Sequence, residues 1–106
     1  MIKSAKQYEA RATIAKALSH PTRLLLLDAL LAKDLCVSEM TELAGADQST
    51  VSKHLAILKE AGFVSVEKKG TNSFFSIRCQ CLDQFFDCIE TVLKQNVRAQ
   101  QELIQL

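Results

Sequence analysis

Long apolar runs are missing from this 106-residue chain. The longest, Leu24 to Ala32, is interrupted by Asp28 and is too short to span a bilayer. Lys3 and Lys6 are not followed by an apolar core of about 7–15 residues, so the start does not read as a signal peptide. The expectation is a cytoplasmic protein with no membrane partner and with reduced cysteines. Charge of one sign is also lacking: the formal net charge is +1, which by itself does not point to nucleic acid. Histidine is scarce, with only His20 and His54. Neither they nor the carboxylates fall into a nucleophile–base arrangement, which argues against an enzyme or a thiol-dependent metallochaperone. The length suits a single domain, 1–106, and is small for a lone enzyme with a deep pocket. No organic cofactor is expected.

What charge there is has a local pattern. Residues 1–33 carry six basic against two acidic groups, residues 34–47 carry four acidic groups and no basic one, and residues 48–72 carry four basic against two acidic. Any attraction for a polyanion is therefore confined to parts of the surface.

Glycine and proline are few, so each one marks a boundary. Residues 4–18 read as a helix with Tyr8, Ala12, Ala15 and Leu18 near one face. "SHPTR" stops it, and Pro21 suits the first turn of a second helix capped by Ser19 or His20. That helix runs to about Ala32 and is apolar nearly all round, so it belongs at the centre. A third helix starts near Ser38 as N-cap and ends at Gly45. Asp47 then caps a fourth, in which Val51, Leu55 and Leu58 form an i, i+4, i+7 stripe that ends at Gly62. Two short helices joined by a glycine-containing turn make a helix-turn-helix.

Past Gly62 the period changes to two. Val64 and Val66 alternate with Ser65 and Glu67, the chain turns at Lys69-Gly70-Thr71-Asn72, and it returns through Phe75 and Ile77. This is a β-hairpin, with Gly70 and Asn72 tolerant of positive φ. A long helix follows from about Gln80, with Leu82, Phe86, Ile89 and Leu93 on one stripe and Cys81, Phe85, Cys88 and Val92 on the next. The fold class is mainly α (α+β): a winged helix-turn-helix of four helices, a β-hairpin and a fifth helix. The broad apolar faces of its terminal helices call for a second copy of the chain as cover.

The face of the fourth helix opposite its apolar stripe shows Gln48, Ser49, Thr50, Ser52 and Lys53. These short or amide side chains can meet base edges, and the lysine can meet phosphate or guanine. In helix-turn-helix docking this end of the helix enters the major groove. His54, one turn in, is placed to touch phosphate, and Lys68 and Lys69 at the hairpin tip can reach the backbone of double-stranded DNA. Exposed helices often carry such residues only as a solvated face. The short turn before this one and the basic hairpin after it favour DNA.

"ALSHPTRLLLLDALL", "DLCVSEMTE" and "QSTVSKHLAILKEAGFV", with the short basic hairpin, resemble the ArsR/SmtB family of bacterial repressors. The resemblance covers roughly Ala15 to Ile77. It implies a homodimer joined by the first and last helices, one recognition helix per subunit, and release from operator DNA when an effector binds. It places the family's DNA-reading positions on Gln48, Ser49, Thr50, Ser52, Lys53 and His54.

The family keeps its effector sites in different places. A Cys-x-Cys at the start of the third helix is not complete here: Cys36 is present, but Ser38 stands where the second thiolate would be, and a hydroxyl is a poor ligand for a soft ion. Cys36 is expected to be packing. A zinc site on the last helix would need histidines, and that helix has none. Three thiols remain in "RCQCLDQFFDC": Cys79, Cys81 and Cys88. Three thiolates without imidazole suit arsenic(III), the family's usual case, or another thiophilic ion. Oxidants, reactive sulfur or a small organic ligand are the alternatives, with the cysteines redox-active or merely apolar filling. In a regular helix Cys81 and Cys88 lie about 10.5 Å apart along the axis. Thiolates on one ion lie within roughly 4 Å of each other. A shared site therefore needs Cys88 from one subunit and Cys79 or Cys81 from the other, or a helix start that unwinds.

Overall fold

A computed structural model describes residues 1–105. The elements are α1 (Ala5–Ala17), α2 (Pro21–Ala32), β1 (Leu35–Cys36), α3 (Val37–Ala44), α4 (Gln48–Ala61), β2 (Val64–Lys69), β3 (Asn72–Ile77) and α5 (Leu82–Ile104). This is the expected order with one addition. Leu35 and Cys36 form a third, two-residue strand, which pairs with Phe75 and Phe74 and makes an antiparallel sheet of order β1-β3-β2. Two residues cannot show an alternating pattern, so the strand is invisible to periodicity.

The local chemistry explains most boundaries. His20 caps α2 by accepting from the Thr22 N–H at 3.1 Å, ahead of Pro21. The cap of α3 is Cys36, not Ser38. Glu39 reaches back to the Cys36 N–H at 3.0 Å, so the reciprocal half of a capping box starts this helix two residues early. Gly45 ends α3 at φ +64°, and two residues later Asp47 caps α4 by accepting from the Thr50 N–H at 2.8 Å. At the hairpin tip only Gly70 takes positive φ, at +66°. Asn72 does not: it is the first residue of β3 and pairs with Lys69.

The core lies where α2, α3 and α4 meet the sheet. Leu26, Leu27, Leu30, Met40, Val51, Leu55, Leu58 and Val64 are buried. The α4 stripe read from the sequence is thus the face that holds this helix down, and its other face is left to solvent. Leu55 is 1 % exposed. Leu55→Ala should destabilise the fold by about 2–5 kcal/mol, because a cavity remains where packing cannot close. A thermal or urea melt measures this, and a loss below about 1 kcal/mol would mean that α4 is not anchored through this stripe.

α5 behaves differently along its length. Leu82 is buried and Phe86 packs against the core, whereas Phe85, Ile89, Val92, Leu93 and Val97 are exposed. The stripe expected to be one interface therefore divides: its first two members serve the chain's own core. No helix among the described residues is long and apolar enough to cross a membrane.

Candidate nucleic-acid interface and thiol pair

The first turns of α4 present Gln48, Ser49, Thr50, Ser52 and Lys53 together on the exposed side. Their backbone is fixed by Asp47, whose carboxylate takes the Thr50 N–H and, at 3.1 Å, the Ser49 hydroxyl. Hydrogen bonds from Thr50 and then Ser49 hold that carboxyl below its ordinary range. Asp47 is therefore an anion tied to its own helix end, where the helix dipole favours it. Lys68 and Lys69 are exposed at the wing tip, and the Lys69 ammonium sits 5.8 Å from the centroid of the Phe74 ring. A cation over a ring face is steered without being neutralised.

His54 is placed differently from the residues just before it. It is partly buried and turned toward α2. Its ring lies 4.3 Å, centroid to centroid, from that of His20, and its Nδ1 lies 3.1 Å from Nη1 of Arg23. Burial first, then the charges of His20 and Arg23, push its imidazole below the ordinary 6.5. That favours the neutral ring over the imidazolium and weakens its electrostatic attraction for a phosphate. Arg23 went unnoticed in the sequence. Nothing local signals a contact between residues 31 apart.

The second cluster lies where β3 hands over to α5. The Arg78 N–H donates to the Phe63 carbonyl at 2.9 Å and ties the strand end to the residue that follows α4 and its Gly62 cap. Cys79 comes next. The Leu82 N–H donates to its carbonyl at 3.2 Å, so residues 79–82 form a turn. Cys81 is the N-cap of α5, with φ −71° and ψ −4°. The turn brings the sulfurs of Cys79 and Cys81 to 2.7 Å, and both thiols are free. Hydrogen bonding to Cys79 first, then the charge of Cys79, pushes the Cys81 thiol up.

The three thiols of this stretch differ in environment. Cys79 packs against the core, while Cys81 and Cys88 are exposed. Helix periodicity had assigned Cys81 to an apolar face, but the helix begins one residue after it. Cys88 sits two turns into α5 and is not part of the pair. Among the described residues no group of three or more Cys, His, Asp or Glu within the chain could hold a metal ion. Cys36 is buried, with its sulfur 3.2 Å from the Ser38 hydroxyl.

A family model described as "Bacterial regulatory protein, arsR family" matches residues 20–66. An uncharacterized HTH-type transcriptional regulator of Methanocaldococcus jannaschii is 43% identical over 74 residues, which cover 68% of this chain and 82% of that protein. The arsenical resistance operon repressor of Staphylococcus xylosus is 33% identical over 87 residues, covering 79% of this chain and 84% of that protein. The chain belongs to the arsR family of bacterial regulatory proteins. Among solved structures, that of the Mycobacterium tuberculosis protein Rv0081 superposes with a TM-score of 0.83 at 26% identity, over 92% of this chain and 98% of that one.

The arsR match runs from the cap of α2 into β2 and so contains all of α4. The family and fold are those of DNA-binding winged helix-turn-helix transcription regulators. Cys79, Cys81 and Cys88 lie beyond the matched residues, so the thiol pair is a feature on which this arsR model is silent.

Proposed function

We propose that this arsR-family protein is a repressor that binds operator DNA as a homodimer and lets go when a thiophilic species, foremost arsenic(III), binds Cys79 and Cys81. The observation that carries the effector half is the 2.7 Å separation of two free thiols at the base of the wing. Two sulfurs on one turn and within roughly 4 Å need only part slightly to share one ion.

The chemistry favours arsenous acid over a divalent cation. Each S–H condenses with one As–OH: an As–S bond forms, and the thiol proton leaves with the hydroxide as water. A raised Cys81 thiol does not oppose that exchange. A divalent cation must instead compete with the proton for the sulfur. The third sulfur is Cys88 of a second copy of the chain, since α5 carries its own Cys88 too far along its axis. Closing this shell pulls on the turn at residues 79–82, on Arg78, and through the Phe63 carbonyl on the C-terminal end of α4.

The same proximity supports a second reading, in which an oxidant takes two electrons and two protons from the pair and closes a Cys79–Cys81 disulfide. Release by arsenite in the presence of a phosphine reductant, with no release by peroxide alone, selects the first. Release by peroxide, reversed by the reductant, selects the second.

For the DNA half, Lys53→Ala should weaken duplex binding and reduce the magnitude of the salt slope by about one. Gln48→Ala or Ser49→Ala should change sequence preference by about 1–3 kcal/mol at single positions. Selection from a random duplex library, followed by titration at several salt concentrations, reads both. Unchanged affinity and preference after Gln48, Ser49, Thr50 and Lys53 are all replaced by Ala, in a folded protein, would remove α4 from the DNA interface.

A further inference from the structure

The last carbonyls of a helix need partners from outside it. At the end of α1 the Leu18 and Ser19 N–H groups and the Ser19 hydroxyl meet the carbonyls of Ala15 and Lys16, and one arginine from α2 adds to them. Nε of Arg23 donates to the Ala17 carbonyl at 2.6 Å, and Nη2 donates to the Lys16 carbonyl at 3.3 Å. The remaining terminal nitrogen, Nη1, faces Nδ1 of His54 on α4 at 3.1 Å. A guanidinium can only donate, so Nδ1 accepts, and the neutral ring carries its proton on Nε2. His20, the cap of α2, lies against the same ring. Three helices thus meet at one partly buried polar joint.

The position of the joint matters. Val51, Leu55 and Leu58 hold α4 down along one stripe. A single stripe resists lifting more than it resists rolling. His54 lies about 100° round the helix from Leu55, about 60° from Val51 and about 40° from Leu58, at one edge of that stripe. A directed hydrogen bond there acts to one side of the stripe's centre line and resists roll. Groups that must meet base edges need placement to about 0.5 Å and 10–20°, and Lys53 and Ser52 immediately precede His54.

We propose that Arg23 is a positioning residue for DNA binding: by donating to Nδ1 of His54 it sets the roll of α4 against α1 without touching DNA itself. This rests on α4 being the DNA-reading helix. It also reassigns His54, which acts through Arg23 and not through phosphate.

Two substitutions at His54 separate its ring nitrogens. Asn puts an amide oxygen near the place of Nδ1, and Gln puts one near the place of Nε2. The probe is a duplex enriched from a random library by the wild-type protein, and melting temperatures confirm folding. With Arg23 intact, His54→Asn should bind that duplex within about threefold of wild type. His54→Gln should bind roughly tenfold more weakly, the scale of one hydrogen bond to a charged donor. In an Arg23→Met background the two variants should bind alike, because the donor is gone. Equal binding by His54→Asn and His54→Gln with Arg23 intact, whether strong or weak, would overturn the proposal. So would tighter binding by His54→Gln, which would return His54 to phosphate contact through Nε2. A wild-type protein that enriches no duplex would remove the DNA-reading helix itself, and this role of Arg23 with it.

Discussion

Cys81→Ser leaves duplex affinity at the wild-type value and abolishes release by arsenite. Cys79→Ser does the same. Each loses one of two sulfurs that stand 2.7 Å apart, and a hydroxyl does not replace a thiolate on a soft ion. Neither residue belongs to α4 or to the wing tip, so binding in the absence of effector is expected to be unaffected. In the wild type the expected release is the ordinary range of allosteric coupling, about 1–3 kcal/mol, or a 5–150-fold fall in affinity. Cys88→Ser should weaken the response in proportion to what the second copy contributes. Cys36→Ser should leave it unchanged, since Cys36 is buried beside Ser38 and far in sequence from the pair. Anisotropy of a labelled duplex, titrated with arsenite for each variant, reads all four. A Cys79→Ser, Cys81→Ser double variant that releases DNA at the wild-type arsenite concentration would leave these thiols as surface and packing groups.

The second large effect concerns assembly. Val92→Glu combined with Val97→Glu should convert a dimer to a monomer and lower affinity for a two-half-site duplex by about 100-fold or more, because the second half-site is then no longer bound intramolecularly. Both valines are 52 % exposed in the single chain, on a strip with Phe85, Ile89 and Leu93. An apolar strip of this kind marks an interface. Phe86→Glu is the poorer probe. Phe86 packs against the chain's own core, so a charge there would unfold the protein as well as separate it. Sedimentation at micromolar concentration distinguishes the outcomes. A wild-type monomer, or a double variant that stays dimeric, would place the contact elsewhere.

The fold was legible because its main signals are periodic. The α4 stripe, the change of period after Gly62 and the scarce glycines and proline gave five helices and a hairpin in the right order. The short β1 and the Cys36 cap were not legible, because both depend on partners: Phe74 and Phe75 across the sheet, and Glu39 from one turn on. The exposed face of α4 followed directly from the stripe on its other side. His54 did not. Its position in a helix says which way it points only to within the width of its neighbours, and Arg23 and His20 decided the matter from another helix. The cysteines show the same division. Spacing alone kept Cys81 and Cys88 of one regular helix off a common ion, but the turn that joins Cys79 to Cys81 arises from the place where α5 starts, which periodicity fixes only to a residue or two.

The central claim is that a thiol pair at the wing base controls a DNA reader some distance away. Its most direct measurement is the binding of wild-type protein to a duplex it has selected, under a phosphine reductant, as arsenite is added. The prediction is that duplex binding falls by about 5–150-fold and that Cys79 and Cys81 become protected from alkylation over the same arsenite range. Alkylation of both thiols at the unliganded rate while DNA is released, or full protection of both with DNA still bound at undiminished affinity, would contradict it.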